Sequence, residues 1–399
     1  MDRAVMALSI ARMADALGNS VLFIIIPLYV AKLPELVFPL PVPVLVGLLI
    51  SMYGLVNSAL QPFMGALSDR LGRRKLFIQT GLGIIGFATL AFIFADRFLD
   101  LIILRSLQGI GVSMTITASM ALMAAITKRE TRGGAMGIYT TLRMAGFALG
   151  PLIGGVSLVH FGFDVAFYVG AGFIFLAMFM VQLWVKDVEI APSTAGKQKF
   201  RIIDRSLLNA GIISASVSTF LMANAFSMVL ALENEFNERL HINAVGFSIA
   251  FSSMMIGRLI FQMPFGRLSD YIGRKPPILA GLFIMAPATV FLGLVETKTQ
   301  LDLVRLSQGI AAAGIAAPAF AVAADLAQTG GEGRQMSIIT LGFGLGIAIG
   351  PLLAGILSTF FFELPFIVGG VLSLIGTWVV FRYMPETVQG KYVLFKKRD

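Results

Sequence analysis

Cysteine is absent from all 399 residues, and histidine occurs only at His160 and His241. No disulfide can form, and no thiolate or histidine cluster is available for a transition metal. The chain also lacks Gly-x-x-x-x-Gly-Lys-[Ser/Thr], the loop whose backbone amides cradle nucleotide phosphates, so no ATP-driven cycle is expected. The sequence offers no enzyme chemistry and no cofactor site; uphill work would have to draw on an ion gradient. Charge is scarce too, at 13% Asp, Glu, Lys and Arg against 57% hydrophobic residues. With a mean hydropathy of +0.86, that balance excludes a soluble protein of this length.

What is present is apolar sequence in lengths that suit a bilayer. Stretches of roughly 20 residues, each able to cross a hydrocarbon core of about 30 Å, alternate with short charged or turn-rich segments. Twelve spans are expected, in an all-α membrane fold of two pseudo-symmetric six-helix bundles. The first six run from Ala4 to Val30, Val44 to Phe63, Leu76 to Phe94, Leu101 to Ile126, Ala135 to Val159 and Val165 to Val185. The second six run from Leu207 to Leu232, Ala244 to Phe265, Ile278 to Val295, Leu301 to Leu326, Gln335 to Thr359 and Leu364 to Phe381. Residues 186–205, with Pro192, Gly196 and mixed charge, read as a linker between an N-terminal bundle (1–185) and a C-terminal bundle with a short tail (206–399).

The net charge of +9 is explained by topology and not by nucleic acid. Of the 31 Lys and Arg, only Lys32, Arg97, Arg239 and Lys298 fall in loops on the side opposite the N-terminus. The positive-inside rule then places both termini and the linker in the cytoplasm, in a plasma or inner membrane. The first span carries Arg12 and Asp15 and no convincing cleavage site, so it is expected to act as its own targeting signal.

The chain also repeats itself about two hundred residues apart. Gly65-Ala-Leu-Ser-Asp69-Arg70-Leu-Gly72-Arg73 returns as Gly266-Arg-Leu-Ser-Asp270-Tyr-Ile-Gly273-Arg274. Each copy is followed by Leu-x-x-x-Arg-x-x-Gln-Gly, with Arg105, Gln108 and Gly109 in the first and Arg305 in the second. A glycine ladder closed by Gly-Pro comes next: Gly146, Gly150, Pro151 and Gly154, then Gly350 and Pro351. Internal repetition in an apolar chain marks a secondary transporter.

These motifs resemble those of the major facilitator superfamily, and the Arg105 segment with the Gly146 to Gly155 ladder resembles its drug:proton antiporter branch. The resemblance implies alternating access between two six-helix bundles, and the span 5 ladder favours export. It also implies that Asp69 latches the cytoplasmic side by facing the N-terminal end of span 11. Asp325, near the end of span 10, is the acid that relatives use to pair with the loop arginines. Its first-half counterpart reads Ala124-Ala125-Ile126, so that relay lacks a partner unless Glu130 substitutes. The two cytoplasmic latches are therefore expected to differ in strength.

The residues themselves carry a parallel reading. Gly65 and Gly72 permit a sharp turn, and the basic residues hold it at an anionic surface. Glycines every four residues let two helix backbones approach closely. Asp15 is the one acid deep in a first-half span, roughly 16 Å along from Ala4 at 1.5 Å per residue. Arg12, Asp15 and Asn19 share a helix face, and a carboxyl held between burial and an adjacent guanidinium can load and unload a proton. Glu233 and Glu235 fall where span 7 should emerge and read as a solvated end.

Arg143 and Arg258 have no symmetric partner and are candidates to line a cavity, giving it neutral to positive character. Asn57, Gln61, Thr115, Tyr139, Asn209, Asn224 and Gln262 could add hydrogen bonds, and 33 Phe with 20 Met supply adaptable apolar walls. A small amphiphile with an anionic or zwitterionic head would suit such a cavity. The leading expectation is a monomeric, proton-coupled exporter of amphiphilic compounds, surrounded by membrane lipid. A uniporter or symporter of a small polar metabolite, and a non-transporting membrane sensor, remain as alternatives.

Overall fold

In a bilayer the backbone can satisfy its polar groups only within its own helix or barrel, and these long apolar runs form helices. The computed structural model describes residues 3–33, 40–127, 132–185, 209–326 and 332–388. The linker expected at 186–205, Glu130 and the side chain of Asp69 lie outside the described parts. The helices are α1 (Arg3–Val30), α2 (Val42–Leu71), α3 (Arg74–Ala91), α4 (Phe98–Ile126), α5 (Arg132–Trp184), α6 (Ala210–Ser227), α7 (Glu233–Leu240), α8 (Ala244–Ile272), α9 (Lys275–Leu292), α10 (Lys298–Asp325), α11 (Glu332–Ser358) and α12 (Leu364–Tyr383). No β-strand occurs among the described residues.

Eleven of these helical stretches are long and apolar enough to cross a membrane. One of them counts twice. The 53 residues of α5 would run to about 80 Å if straight, more than twice the hydrocarbon thickness. The helix instead breaks at Gly162, whose φ of 86° is open to glycine and costly for any other residue. Its two limbs are the expected fifth and sixth spans, which brings the total to twelve. The seventh span departs from expectation at its end: α6 continues through a 3-10 turn (Met228–Leu232) into α7 and does not emerge at Leu232. Glu233 is consequently buried and Glu235 half-buried, so the solvated-end reading of these two acids is wrong.

Contacts divide the chain into two compact units. The first comprises Met1–Leu40, Met52–Phe200 and His241–Ser252; the second comprises Pro41–Ser51, Arg201–Leu240 and Ser253–Asp399. The start of α8 therefore packs within the first unit, where Ser252 Oγ donates to the Ala148 carbonyl at 2.6 Å. The start of α2 packs within the second, where Gly47 lies against the Pro351 carbonyl.

Each unit is centred on one helix pair that glycine brings together. In the first, α1 lies along the ladder of α5: a side chain at Gly146, Gly150 or Gly154 would strike the Met13, Leu17 or Val21 carbonyl. Ser20 Oγ donates to the Gly146 carbonyl at 3.3 Å across this seam. In the second, Gly342, Gly346 and Gly350 of α11 meet Ser216, Phe220 and Asn224 of α6, and Ser227 Oγ donates to the Gly346 carbonyl at 3.3 Å. Close backbone approach is what associates helices where hydrophobic burial offers no net driving force.

Candidate functional site

The polar residues of α1 turn inward together. Arg12, Asp15 and Asn19 are 6%, 2% and 6% exposed. Arg12 Nη1 donates to Asp15 Oδ2 in an ion pair, while Asn19 Nδ2 donates to Asp15 Oδ1 at 2.7 Å and to its carbonyl at 3.0 Å. Each carboxylate oxygen thus has a donor, and one of the two is a neutral amide. Around this cluster stand Tyr53 on α2 and Tyr139 and Arg143 on α5, all close enough to act on it electrostatically. Arg143 is half-buried, its guanidinium 5.2 Å from the Phe147 ring centre and its Nε without a hydrogen-bond partner. Two arginines share one carboxylate, which leaves the neighbourhood net positive.

A small void adjoins the ion pair. Arg12, Asp15, Thr115, Ser119 and apolar residues that include Leu8, Ile78 and Val181 enclose about 10 Å³ there. That is close to the roughly 10–15 Å³ a single water needs, and the walls supply the polar partners a buried water requires. Thr115 is buried and donates to the Val112 carbonyl at 3.0 Å, which leaves its oxygen able to accept.

Other expected cavity residues divide by environment. Among the described residues, Asn57 Oδ1, Asn224 Nδ2 and Gln262 Oε1 are buried polar atoms without a hydrogen-bond partner, the kind of open valence that a ligand can close. Gln61 is half-buried. Arg258 is 8% exposed and lies 5.6 Å from the Phe343 ring centre. Asn209 is not a cavity residue: its side chain caps α6, accepting from the Ile212 amide at 2.9 Å.

Arg105 and Arg305 belong to matched buried clusters. Arg105 Nη1 donates to Gln108 Oε1 at 3.0 Å, and Gln108 Nε2 donates to Thr89 Oγ1 at 2.9 Å. Arg305, Gln308 and Thr289 repeat the chain at 2.8 and 3.2 Å, with a further bond from Arg305 to the Phe226 carbonyl. Gly109 lets α4 sit on Tyr53 and Val56 of α2, and Tyr53 places its ring 5.3 Å from the Arg105 guanidinium. Tyr53 therefore stands between Arg105 and the Arg12–Asp15 pair. The sequence reading missed Tyr53, Ser119, Thr89 and Thr289, although the two threonines recur at the same spacing as the arginines they support.

The repeated loops share a backbone and differ in chemistry. Gly72 and Gly273 both take positive φ, 63° and 103°. In the second loop Arg274 gathers three partners: Asp325 Oδ2 at 2.9 Å, Ser269 Oγ at 2.8 Å and Asp270 Oδ1 at 2.5 Å. Burial disfavours the Arg274 charge, but the bonds to Asp325 and Asp270 outweigh it and hold the group above its ordinary pKa. Glu386 completes the network by accepting from the amides of Arg274 and Lys275 at 2.8 and 3.1 Å, capping α9. In the first loop Arg70 and Arg73, the latter the counterpart of Arg274, are exposed, and Arg74 donates to the Ala121 carbonyl at 2.7 Å. Gly65 sits against Thr117 of α4.

The model of the Major Facilitator Superfamily matches residues 8–237 and again 212–396. The chain belongs to this superfamily. It is 28% identical over 272 residues to the multidrug resistance protein MdtG of Salmonella choleraesuis (strain SC-B67), and equally to that of Salmonella newport (strain SL254). The match spans 66%, just under two thirds, of this chain and of each relative. Among solved structures, a bacterial homologue of the human lysosomal transporter Spinster shares the fold at a TM-score of 0.79 and 16% identity, over 95% of both chains. The human organic anion transporter MFSD10 (TETRAN) does so at 0.72 and 18%, over 95% of this chain and 99% of that one.

Proposed function

We propose that this superfamily member is a proton-coupled antiporter that exports amphiphilic compounds, drugs or lipid-like molecules, by alternating access. The observation that carries the reading is Asp15, a buried carboxylate held by one cation and one amide beside a void the size of a water. A proton delivered to Asp15 through that void would cancel the charge that holds Arg12. The freed guanidinium would then turn to the Tyr53 and Tyr139 hydroxyls, and the pair would re-form when the proton leaves. The proton gradient is the only energy source this scheme needs, with no cofactor.

In the first unit Arg143, beside Phe147, would take an anionic or zwitterionic substrate head with Asn57 closing a hydrogen bond; in the second unit Arg258, beside Phe343, offers the same chemistry with Asn224 and Gln262. The relatives named as multidrug resistance proteins support export of drug-like compounds. The protein would work as a monomer in a plasma or inner membrane, with both termini in the cytoplasm. Its halves, 1–185 and 206–399, would be joined by the cytoplasmic linker 186–205.

The test is transport by purified protein in proteoliposomes under an imposed pH gradient, with cationic, zwitterionic and anionic amphiphiles. Accumulation that collapses with the gradient is expected. Uptake indifferent to the gradient would refute proton coupling and favour a uniporter.

A further inference from the structure

Glu233 opens α7 at the end of the 3-10 turn, 0% exposed, and neither of its carboxylate oxygens has a hydrogen-bond donor among the described residues. Further along α7, Glu235 Oε2 and Asn237 Oδ1 are likewise buried acceptors with no donor among the described residues. The charged groups on the surrounding elements are otherwise engaged. Arg239 pairs with Glu363 at 3.0 Å, and Lys298 pairs with Asp302 at 2.6 Å. Arg305 is turned to the Phe226 carbonyl and to Gln308. Glu238 is exposed, and the stretch of α11 from Gly346 to Ser358 has no charged residue. No charged side chain among the described residues acts on Glu233; burial alone does.

Counted along the sequence from the two helix seams, the first half carries an apolar side chain where the second carries Glu233. Ser20 and Ser227 make the same bond to Gly146 and Gly346, so they are equivalent points in the two halves. Six residues further on stand Ile26 in the first half and Glu233 in the second, and both are 0% exposed. The second half therefore puts a carboxyl into a core position of the fold. An ionised carboxylate there would have no donor or cation among the described residues to offset its lost hydration, whereas the neutral acid carries no charge to solvate.

We infer that Glu233 is a proton-binding site, a neutral carboxylic acid in this conformation. It gives up the proton when the transport cycle admits water to this end of the span. That second step rests on the proton-coupled reading; the bound proton does not.

Infrared spectra of the purified protein at neutral pH test the first step, since a protonated carboxyl has a carbonyl stretch that a carboxylate lacks. The wild type should show this band, and it should vanish in Glu233→Gln while persisting in Asp15→Asn. Should Glu233→Gln fail to fold, Glu233→Ile, which copies the first half, supplies the same comparison. A band unchanged by either substitution overturns the inference. Substrate-evoked proton release in proteoliposomes tests the second step and should fall in Glu233→Gln. If the band is lost but release is unchanged, the proton is permanent and the exchange step is overturned. If the wild type releases no proton at all, the proton-coupled reading fails, and the infrared result still decides Glu233.

Discussion

Asp15→Asn removes the one negative charge between Arg12 and Arg143 and keeps the shape. Asn19 retains an oxygen to donate to, but Arg12 loses its ion pair while staying 6% exposed. Orphaning one partner of a buried pair typically costs about 3–5 kcal/mol, and repulsion between Arg12 and Arg143 pushes towards the upper figure. The protein should still fold, because the α1–α5 seam is closed by backbone approach and not by this pair. Arg12→Met combined with Asp15→Asn should recover most of the loss, since an apolar replacement of a buried pair is often neutral or better. Reversible unfolding of the wild type, Asp15→Asn, Arg12→Met and the double variant in mixed micelles gives the coupling energy as a double-mutant cycle. Transport under a pH gradient gives the function: neither Asp15→Asn nor the double variant should accumulate substrate, although both should still bind it. Undiminished gradient-driven accumulation by the stabilised double variant would refute the proton role and leave Asp15 a structural counter-ion.

Three further outcomes are expected. Arg143→Ala and Arg258→Ala should each weaken transport of anionic and zwitterionic amphiphiles by about tenfold or more while sparing hydrophobic monovalent cations, because a charge-assisted contact is lost only for the former; equal losses across a substrate panel would mark the arginines as structural. Asp270→Asn should cost only ~0.2–1 kcal/mol, since that side chain is 58% exposed and Arg274 keeps Asp325, whereas Asp325→Ala should cost more by also freeing Thr387; hydrogen exchange at the start of α9 would rank the two. Gly346→Leu should lower stability by about 1–3 kcal/mol or prevent assembly, because its side chain would land on the Phe220 carbonyl and Ala223; unchanged thermal stability would mean that the α6–α11 seam is looser than described.

Much of the architecture was legible because membrane solvent writes large signals. Apolar length located the spans, and the duplicated loops announced two halves. Gly72, Gly273 and the two glycine ladders could be read because the turns and the close seams they serve tolerate little else. The misreadings have a common cause in tertiary placement. Glu233 sits at the edge of an apolar run, where one helical turn decides between water and core, and the continuation of α6 into α7 settled it. Asn209 has the composition of a cavity residue but the position of a helix cap. Tyr53 and Glu386 carry no local pattern, since what matters about each is a partner on another element. Thr89 and Thr289 were within reach, because the repeat that exposed Arg105 and Arg305 contains them too.

The matched arginine clusters bear on how the chain is made. Arg105 finds Gln108 and Tyr53, and Gln108 finds Thr89, all before residue 110 has left the ribosome; Arg305 finds Gln308, Thr289 and Phe226, all made after the linker. Neither guanidinium waits for the other half. Each cation can therefore be partly solvated by dipoles of its own half soon after insertion, without waiting for the other half to be translated.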